Sequence, residues 1–220
     1  MIDFIIRPAT INDAAFLADT IIEAEKSGTK KLSYSTIFGL TEAEVKQYLI
    51  EIFEEEIEGC ELSISSFVVA ESNGKVVAAL SAWAEAIDDT PSAIIKGNLL
   101  NFTLPKECIE KAISVNKIIS ELHVEYLPNT IQIGACYVLN EFRGNRLLGA
   151  LNKIILDTLT TKHPNIDTVM VQIFSCNTPS LKAFKKSGYT EVTKKESNNK
   201  DITNFLPSNA KFVLKKDINK

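Results

Sequence analysis

Tyr137-Val138-Leu139-Asn140-Glu141-Phe142-Arg143-Gly144-Asn145-Arg146-Leu147-Leu148-Gly149-Ala150-Leu151 is the stretch on which the fold turns. The β-prone run Ile131 to Leu139 enters a short basic turn, and helical spacing of apolar residues then runs from Leu147 to Leu159. Strand, turn and helix in that order place the free amides and positive dipole end of a helix N-terminus at the turn. Arg143 and Arg146 add charge-assisted donors, so the segment suits an anion such as a pyrophosphate. Taken alone, an arginine pair in such a turn is as readily a solvated surface feature.

Working outward, Val169 to Phe174 reads as a strand and Pro179 to Ser187 as a short helix that Gly188 ends. Thr190 to Thr193 and Phe212 to Leu214 read as closing strands, with Ser197 to Lys200 as a loop. Upstream, Phe4 to Ile6 is β-prone, and Thr10-x-x-Asp13 caps a helix carrying Ala14, Leu17, Ala18, Ile21 and Ile22. Thr41-x-x-Glu44 opens a second helix with Val45, Tyr48, Leu49, Ile52 and Phe53 inward, while Glu54 to Glu56 form a solvated face. Asn73-Gly74 between Phe67–Ala70 and Val76–Leu80 predicts a hairpin, because both residues tolerate positive φ.

From Glu85 to Asn129 the pattern changes to one or two amphipathic helices, with Pro105 near a helix start. With 220 residues, 45% hydrophobic and 24% charged, the chain reads as one packed α/β (α+β) domain, 1–220, with a helical insertion at about 85–129. A net charge of −4 gives no field that draws nucleic acid or an anionic membrane. There is no apolar run long enough to span a bilayer and no signal-peptide pattern, so a cytoplasmic location is expected. Cys60, Cys108, Cys136 and Cys176 are widely spaced, and His123 and His163 are the only histidines, so no metal site is expected. Cys136 and Cys176, in apolar strand-like runs, are read as reduced, packed thiols.

The second informative segment is Val171-Gln172-Ile173-Phe174-Ser175-Cys176-Asn177-Thr178-Pro179-Ser180-Leu181-Lys182-Ala183-Phe184-Lys185-Lys186-Ser187-Gly188-Tyr189. Its order of strand, Asn-x-x-Ser, Ala-Phe and Lys-x-Gly-Tyr resembles the GNAT N-acetyltransferase pattern, and it follows the Arg-Gly turn at the expected interval. Ile6-Arg7-Pro8-Ala9-Thr10-x-x-Asp13-Ala14 and the hairpin from Phe67 to Leu80 are similar to the family's start. The resemblance covers residues 1–83 and 130–216; the intervening segment has no counterpart.

The resemblance implies a central mixed sheet, splayed between the strands ending near Val138 and Phe174, flanked by helices and holding acetyl-CoA or another acyl-CoA in the opening. It assigns to the cofactor Tyr137, Val138 and Leu139 at the strand end and Arg143, Gly144, Asn145, Arg146, Leu147, Leu148 and Gly149 in the turn. Asn177, Ser180 and Phe184 complete the set, although Asn177 equally suits a helix cap. Three departures stand out. Arg146 and Leu148 occupy positions where the family's turn usually has small residues, with Arg146-x-x-Gly149 as an alternative phasing. Phe184 stands where many members carry a proton-donating tyrosine. Gln132 stands at an often acidic position and cannot titrate near pH 7.

The base is therefore unassigned, with Glu125 and Tyr137 as candidates beside Glu85 and His123. The implied activity is transfer of an acyl group to a primary amine of a small molecule or peptide by direct attack. The alternatives are an acyl-CoA-binding regulatory module without efficient chemistry, and an α+β interaction protein whose Arg-Gly turn is fortuitous. The insertion is expected to wall the acceptor side. Its stripe Ile109, Ala112, Ile113 and Ile119 would pack on the sheet or in a homodimer, and His123, Glu125 and Tyr126 would face the opening.

Overall fold

A computed structural model describes residues 3–218. The strands are β1 (Ile5–Pro8), β2 (Phe67–Ser72), β3 (Lys75–Ala84), β4 (Ile131–Val138), β5 (Thr168–Phe174), β6 (Thr190–Glu196) and β7 (Ala210–Asp217). The α-helices are α1 (Ala14–Lys26), α2 (Ser33–Phe38), α3 (Glu42–Glu54), α4 (Ser92–Thr103), α5 (Lys106–Ile119), α6 (Leu147–Lys162), α7 (Thr178–Lys186) and α8 (Ile202–Phe205). All seven strands form one sheet in the order β1-β2-β3-β4-β5-β7-β6, antiparallel except between β4 and β5. The mixed α/β class read from the sequence holds.

Two helical layers cover the sheet. α1, α3 and α4 bury Leu17, Leu49, Phe53 and Leu99 with Val69 and Ala79 on one face. On the other, Leu147, Leu151 and Ile155 of α6 and Phe184 of α7 pack on Ala78, Leu80, Val171 and Leu214. The local signals behave as their chemistry dictates. Thr41 accepts the Glu44 amide while the Glu44 carboxylate accepts the Thr41 amide, closing the capping box of α3. Asn73 (φ 50°) and Gly74 (φ 75°) make the turn between β2 and β3. At the N-terminus Arg7 clamps Asp13 with two bonds of 2.7 and 3.0 Å, tying β1 to the start of α1.

The two sheet edges differ from the centre. β1 is four residues long and ends on Pro8, and β6 is exposed along its entire length, with Glu191, Lys194, Lys195 and Glu196 on it. Two helices were not foreseen: α2 and α8 are only six and four residues long, too short for periodicity to register. Both reappear beside the site.

The insertion is helical, as expected, but it does not lie on the sheet. α4 packs on α3, and α5 packs on α2 and α8. The buried side of α5 carries Cys108 and Val115, rotated from the expected stripe, and Ile113 is 68% exposed. The start of α4 is held by Glu85, whose buried carboxylate accepts bonds from Trp83 Nε1 (2.7 Å), the Ser92 amide (2.9 Å) and Ser92 Oγ (2.5 Å). Three donors converge there, so Glu85 is the cap of the insertion and not the free base considered from sequence.

Candidate functional site

The site begins where one ladder stops. β4 and β5 pair only over Ile131–Ile133 and Val169–Val171, yet β4 runs on to Val138 and β5 to Phe174. Beyond Ile133 the edge of β4 that faces β5 has no strand to bond, and a wedge opens between them. On the opposite edge of β4 the register with β3 slips. Leu80 faces Cys136 and Ala82 faces Ile133, so Ser81 alone stands opposite Gly134 and Ala135. Ser81 Oγ accepts the Ala135 amide at 2.8 Å. A Cβ on Gly134 would come within 2.6 Å of that hydroxyl and 2.9 Å of the Trp83 ring, so the bulge requires glycine.

At the far end of β4 the chain makes a 3-10 turn (Asn140–Phe142) and enters α6. Gly144 (φ 85°) and Arg146 (φ 61°) both take left-handed conformations, and Arg146 is the residue that precedes the helix. The first bond joining helix to turn runs from the Ala150 amide to Arg146 O at 3.2 Å. Leu147, Leu148 and Gly149 therefore present their amides ahead of the ladder. Arg143 donates from Nε to Val138 O at 3.0 Å and lies over the Tyr137 ring, 5.9 Å from its centroid. This leaves its outer nitrogens at the turn. Arg146 in a glycine-favoured conformation is the physical counterpart of the missing small residue.

Tyr137 itself is half-buried and tilted against Phe16, so it is engaged with α1 and with Arg143. Across the wedge, Asn177 Oδ1 accepts the Ser180 amide at 3.3 Å and caps α7. Phe184 is 8% exposed and stacks edge-on against Tyr189, so its ring belongs to the core under α7. Gln132 is buried and donates to Thr130 Oγ1 at 2.6 Å. Cys176 lies in the turn after β5, not in a strand, and all four cysteines are free thiols. Burial pushes the Cys136 thiol up to about 12.

On the other side of the wedge lies a cavity of about 670 Å³, lined by α2, α4, α5 and the ends of β5 and β7. Tyr34, Ile37 and Phe38 of α2 face Leu100, Ile109, Ala112 and Ile119 across it. The isoleucines expected to pack on the sheet or in a homodimer thus line a wall of this cavity. Two smaller hollows adjoin it, one reaching Gly134 and Ala135 at the bulge, and Glu25 and Lys211 line all three.

The charged groups here escaped the sequence reading. Lys96 of α4 pairs with Glu61 and lies over the Tyr34 ring, 5.4 Å from its centroid. Burial opposes the Lys96 charge, but Glu61, Tyr34 and Glu25 together hold its pKa well above the usual value. Lys211 Nζ donates to Gln172 Oε1 at 3.4 Å and lies 4.9 Å from the Phe174 centroid. Among the described residues it has no carboxylate partner within ion-pair distance, and burial lowers its pKa. His123 is also lowered, by burial and then by Lys211. Tyr126 does reach the site, donating to Glu61 at 3.5 Å and standing edge-on to Trp83. Glu125 does not: it lines a separate shallow hollow with Thr193, Lys194 and Lys195 of β6. Among the described residues no His, Cys, Asp and Glu group is arranged to hold a metal, and no helix is long and apolar enough to cross a membrane.

No family model and no curated protein matches the chain by sequence. Solved structures do match. An N-acetyltransferase from Staphylococcus aureus Mu50 superposes with a TM-score of 0.66 at 14% identity, covering 96% of this chain and all of that one. The fold is that of the GNAT acetyltransferases. The Drosophila melanogaster polyamine N-acetyltransferase, which forms N-acetylagmatine, shares the GNAT fold with this chain at a TM-score of 0.56 and 14% identity, over 98% and 100% of the two chains. A ribosomal-protein-alanine N-acetyltransferase from Brucella melitensis does so at 0.53 and 15%, over 97% and 99%. At these identities the likeness speaks for the GNAT fold and not for an acceptor.

Proposed function

We propose that the protein transfers an acetyl or other acyl group from acyl-CoA to a primary amine by direct attack on the thioester. The observation that carries this reading is the wedge: two neighbouring strands that pair over three residues and then part, with a helix N-terminus at one end and a charged cavity on one side. A long, narrow ligand with an anionic end fits that geometry. The amides of Asn145 to Gly149, with Arg143 and Arg146, would take the pyrophosphate, and the exposed edge of β4 from Tyr137 to Leu139 would take the pantetheine amides. Asn177 and Ser180, at the start of α7, would bound the opposite wall, with Phe184 packed in the core behind it. A backbone amide near Val138 would stabilise the oxyanion that forms as the amine adds.

Glu25 and His123 face the acceptor cavity, and the lowered pKa of His123, from burial and then from Lys211, favours the neutral imidazole that can accept a proton. No covalent enzyme intermediate is required. The cofactor is a cosubstrate, the site needs no metal, and the enzyme is read as a single cytoplasmic domain.

One pair of observations favours a second reading, in which the fold binds acyl-CoA without turning it over efficiently. Phe184 is sealed against Tyr189 and cannot protonate a thiolate, and Gln132 is tied to Thr130 and cannot titrate. Calorimetry with CoA followed by turnover assays on a panel of primary amines tests both readings. No CoA binding at millimolar concentration would overturn both, whereas binding without turnover of any amine would favour the second.

A further inference from the structure

Building on the acyl-transfer reading, we infer that the acceptor is a free α-amino acid with a large apolar side chain. Its ammonium would sit against Glu25, its carboxylate against Lys211, and its side chain between α2 and α5.

The inference starts from charge. Four charged side chains meet in the hollow beside the cavity, and two of them, Glu61 and Lys96, neutralise each other. Glu25 and Lys211 remain. Each lines the large cavity and both adjoining hollows, and among the described residues neither forms an ion pair with the other or with a third group. A half-buried ammonium whose nearest acceptor is a neutral amide at 3.4 Å is poorly compensated. The groups facing Lys211 from the surrounding elements are Glu25 of α1, Glu61 ahead of β2, Lys96 of α4, His123 after α5 and Lys195 of β6. Its lowered pKa is the trace of that burial, and an incoming carboxylate would relieve it. A separated cation and anion facing one space are complementary to a ligand that carries both charges on adjoining atoms.

The rest of the cavity decides what else the ligand carries. Beyond the two charges the α2 and α5 walls are mainly apolar, with Ile37, Phe38, Ile109, Ala112 and Ile119, and the polar lining is Ser33, Lys96, Asn116, Ser120 and His123. About 670 Å³ is ample for an aromatic or branched side chain. A polyamine would press its second ammonium against Lys211 or bury it among these apolar groups, and a peptide N-terminus would offer Lys211 only a neutral carbonyl.

In the reaction the ammonium loses one proton to become the nucleophile. Its nitrogen forms a bond to the thioester carbonyl carbon, and the C–S bond breaks. The nitrogen gives up a second proton as the amide forms. One of the two protons is taken by the departing thiolate and the other leaves to solvent.

The test compares L-phenylalanine, L-phenylalaninamide and 2-phenylethylamine, with acetyl-CoA saturating. The expected result is a kcat/KM at least about tenfold higher for phenylalanine, which is the size of one charge-assisted contact. Lys211→Met should erase that preference, bringing kcat/KM for phenylalanine down to that for its amide, and Glu25→Gln should raise KM for all three. Melting curves of both variants establish that they fold, and calorimetric titration of phenylalanine into wild-type protein, with and without CoA, gives a readout independent of turnover. Failure to bind CoA would overturn the acyl-transfer reading itself. Binding of CoA without phenylalanine binding, or turnover of the amide or amine as efficient as that of the acid, would overturn this inference alone.

Discussion

The two sides of the wedge are built in opposite ways. The α6 side is made by one continuous segment, Arg143 to Gly149, and offers mainly backbone amides with two exposed arginines. The side proposed for the acceptor is made by side chains from six separate places: Glu25, Glu61, Lys96, His123, Gln172 and Lys211. A backbone site depends on the chain's path and tolerates changes of side chain, which is how Arg146 and Leu148 can stand where smaller residues are usual. A side-chain site depends on identity at every position and on the packing that holds the pieces in register.

The largest effects expected are on that packing. Glu85→Ala should remove the acceptor for Trp83 Nε1, the Ser92 amide and Ser92 Oγ at once. At about 1–3 kcal/mol for each buried donor left unsatisfied, a loss of about 3 kcal/mol or more is expected in urea unfolding. If the two sides are separable, the folded variant should lose acceptor affinity more than CoA affinity. Parallel loss of both would show that the insertion supports the whole wedge.

Next in size is the converse change. Arg143→Ala combined with Arg146→Ala should raise the Kd for CoA by about tenfold or more, from charge-assisted bonds worth about 1.5–3 kcal/mol each. Melting temperature should change little, since both residues are exposed. Unchanged CoA affinity at low salt would remove the turn from the site.

A smaller effect probes the backbone of the same turn. Arg146→Gly should stabilise the fold by up to about 1 kcal/mol, because a φ of 61° strains any residue with a Cβ. A thermal shift in the opposite direction would mean that the arginine side chain outweighs the strain. The smallest is a pH effect remote from both sides. Arg7 holds the Asp13 carboxyl below the usual carboxylate range, burial opposing and Thr10 assisting. A depressed pKa contributes stability above the unfolded value of about 4, lost as pH falls through the folded one. Asp13→Asn should therefore flatten the stability profile below about pH 4 without altering the pH dependence of CoA binding.

The difference between the sides also explains what could be read from residues alone. The capping box at Thr41, the Asn73-Gly74 turn and the strand-turn-helix around Arg143 are local, and local spacing carries them. The wedge itself was available only through family resemblance, since nothing in β4 says that its ladder with β5 ends at Ile133. Lys96 and Lys211 look like ordinary surface lysines in sequence, and only the fold brings them under α2 and α5. Glu125 and Tyr126 are adjacent in the chain yet alternate in direction in an extended segment, so one reaches Glu61 and the other turns toward β6. The misplaced stripe on α5 has a similar cause. Ile113 is as apolar as its neighbours, but the partner is α2 and not the flat sheet, and the helix turns Cys108 and Val115 toward the interior.

The sheet margins bear on how the protein behaves in a crowded solution. A sheet exposes unpaired peptide groups along its two outermost strands, and each is a template on which a foreign strand can grow. Here one margin is four residues ending in proline, and the other carries two glutamates and two lysines along seven residues. Accretion of a foreign strand on either margin would have to overcome a missing amide donor or stacked charges. Fibrillar self-association of the native protein is discouraged at both ends of the sheet, even though its centre is rich in valine, isoleucine and leucine.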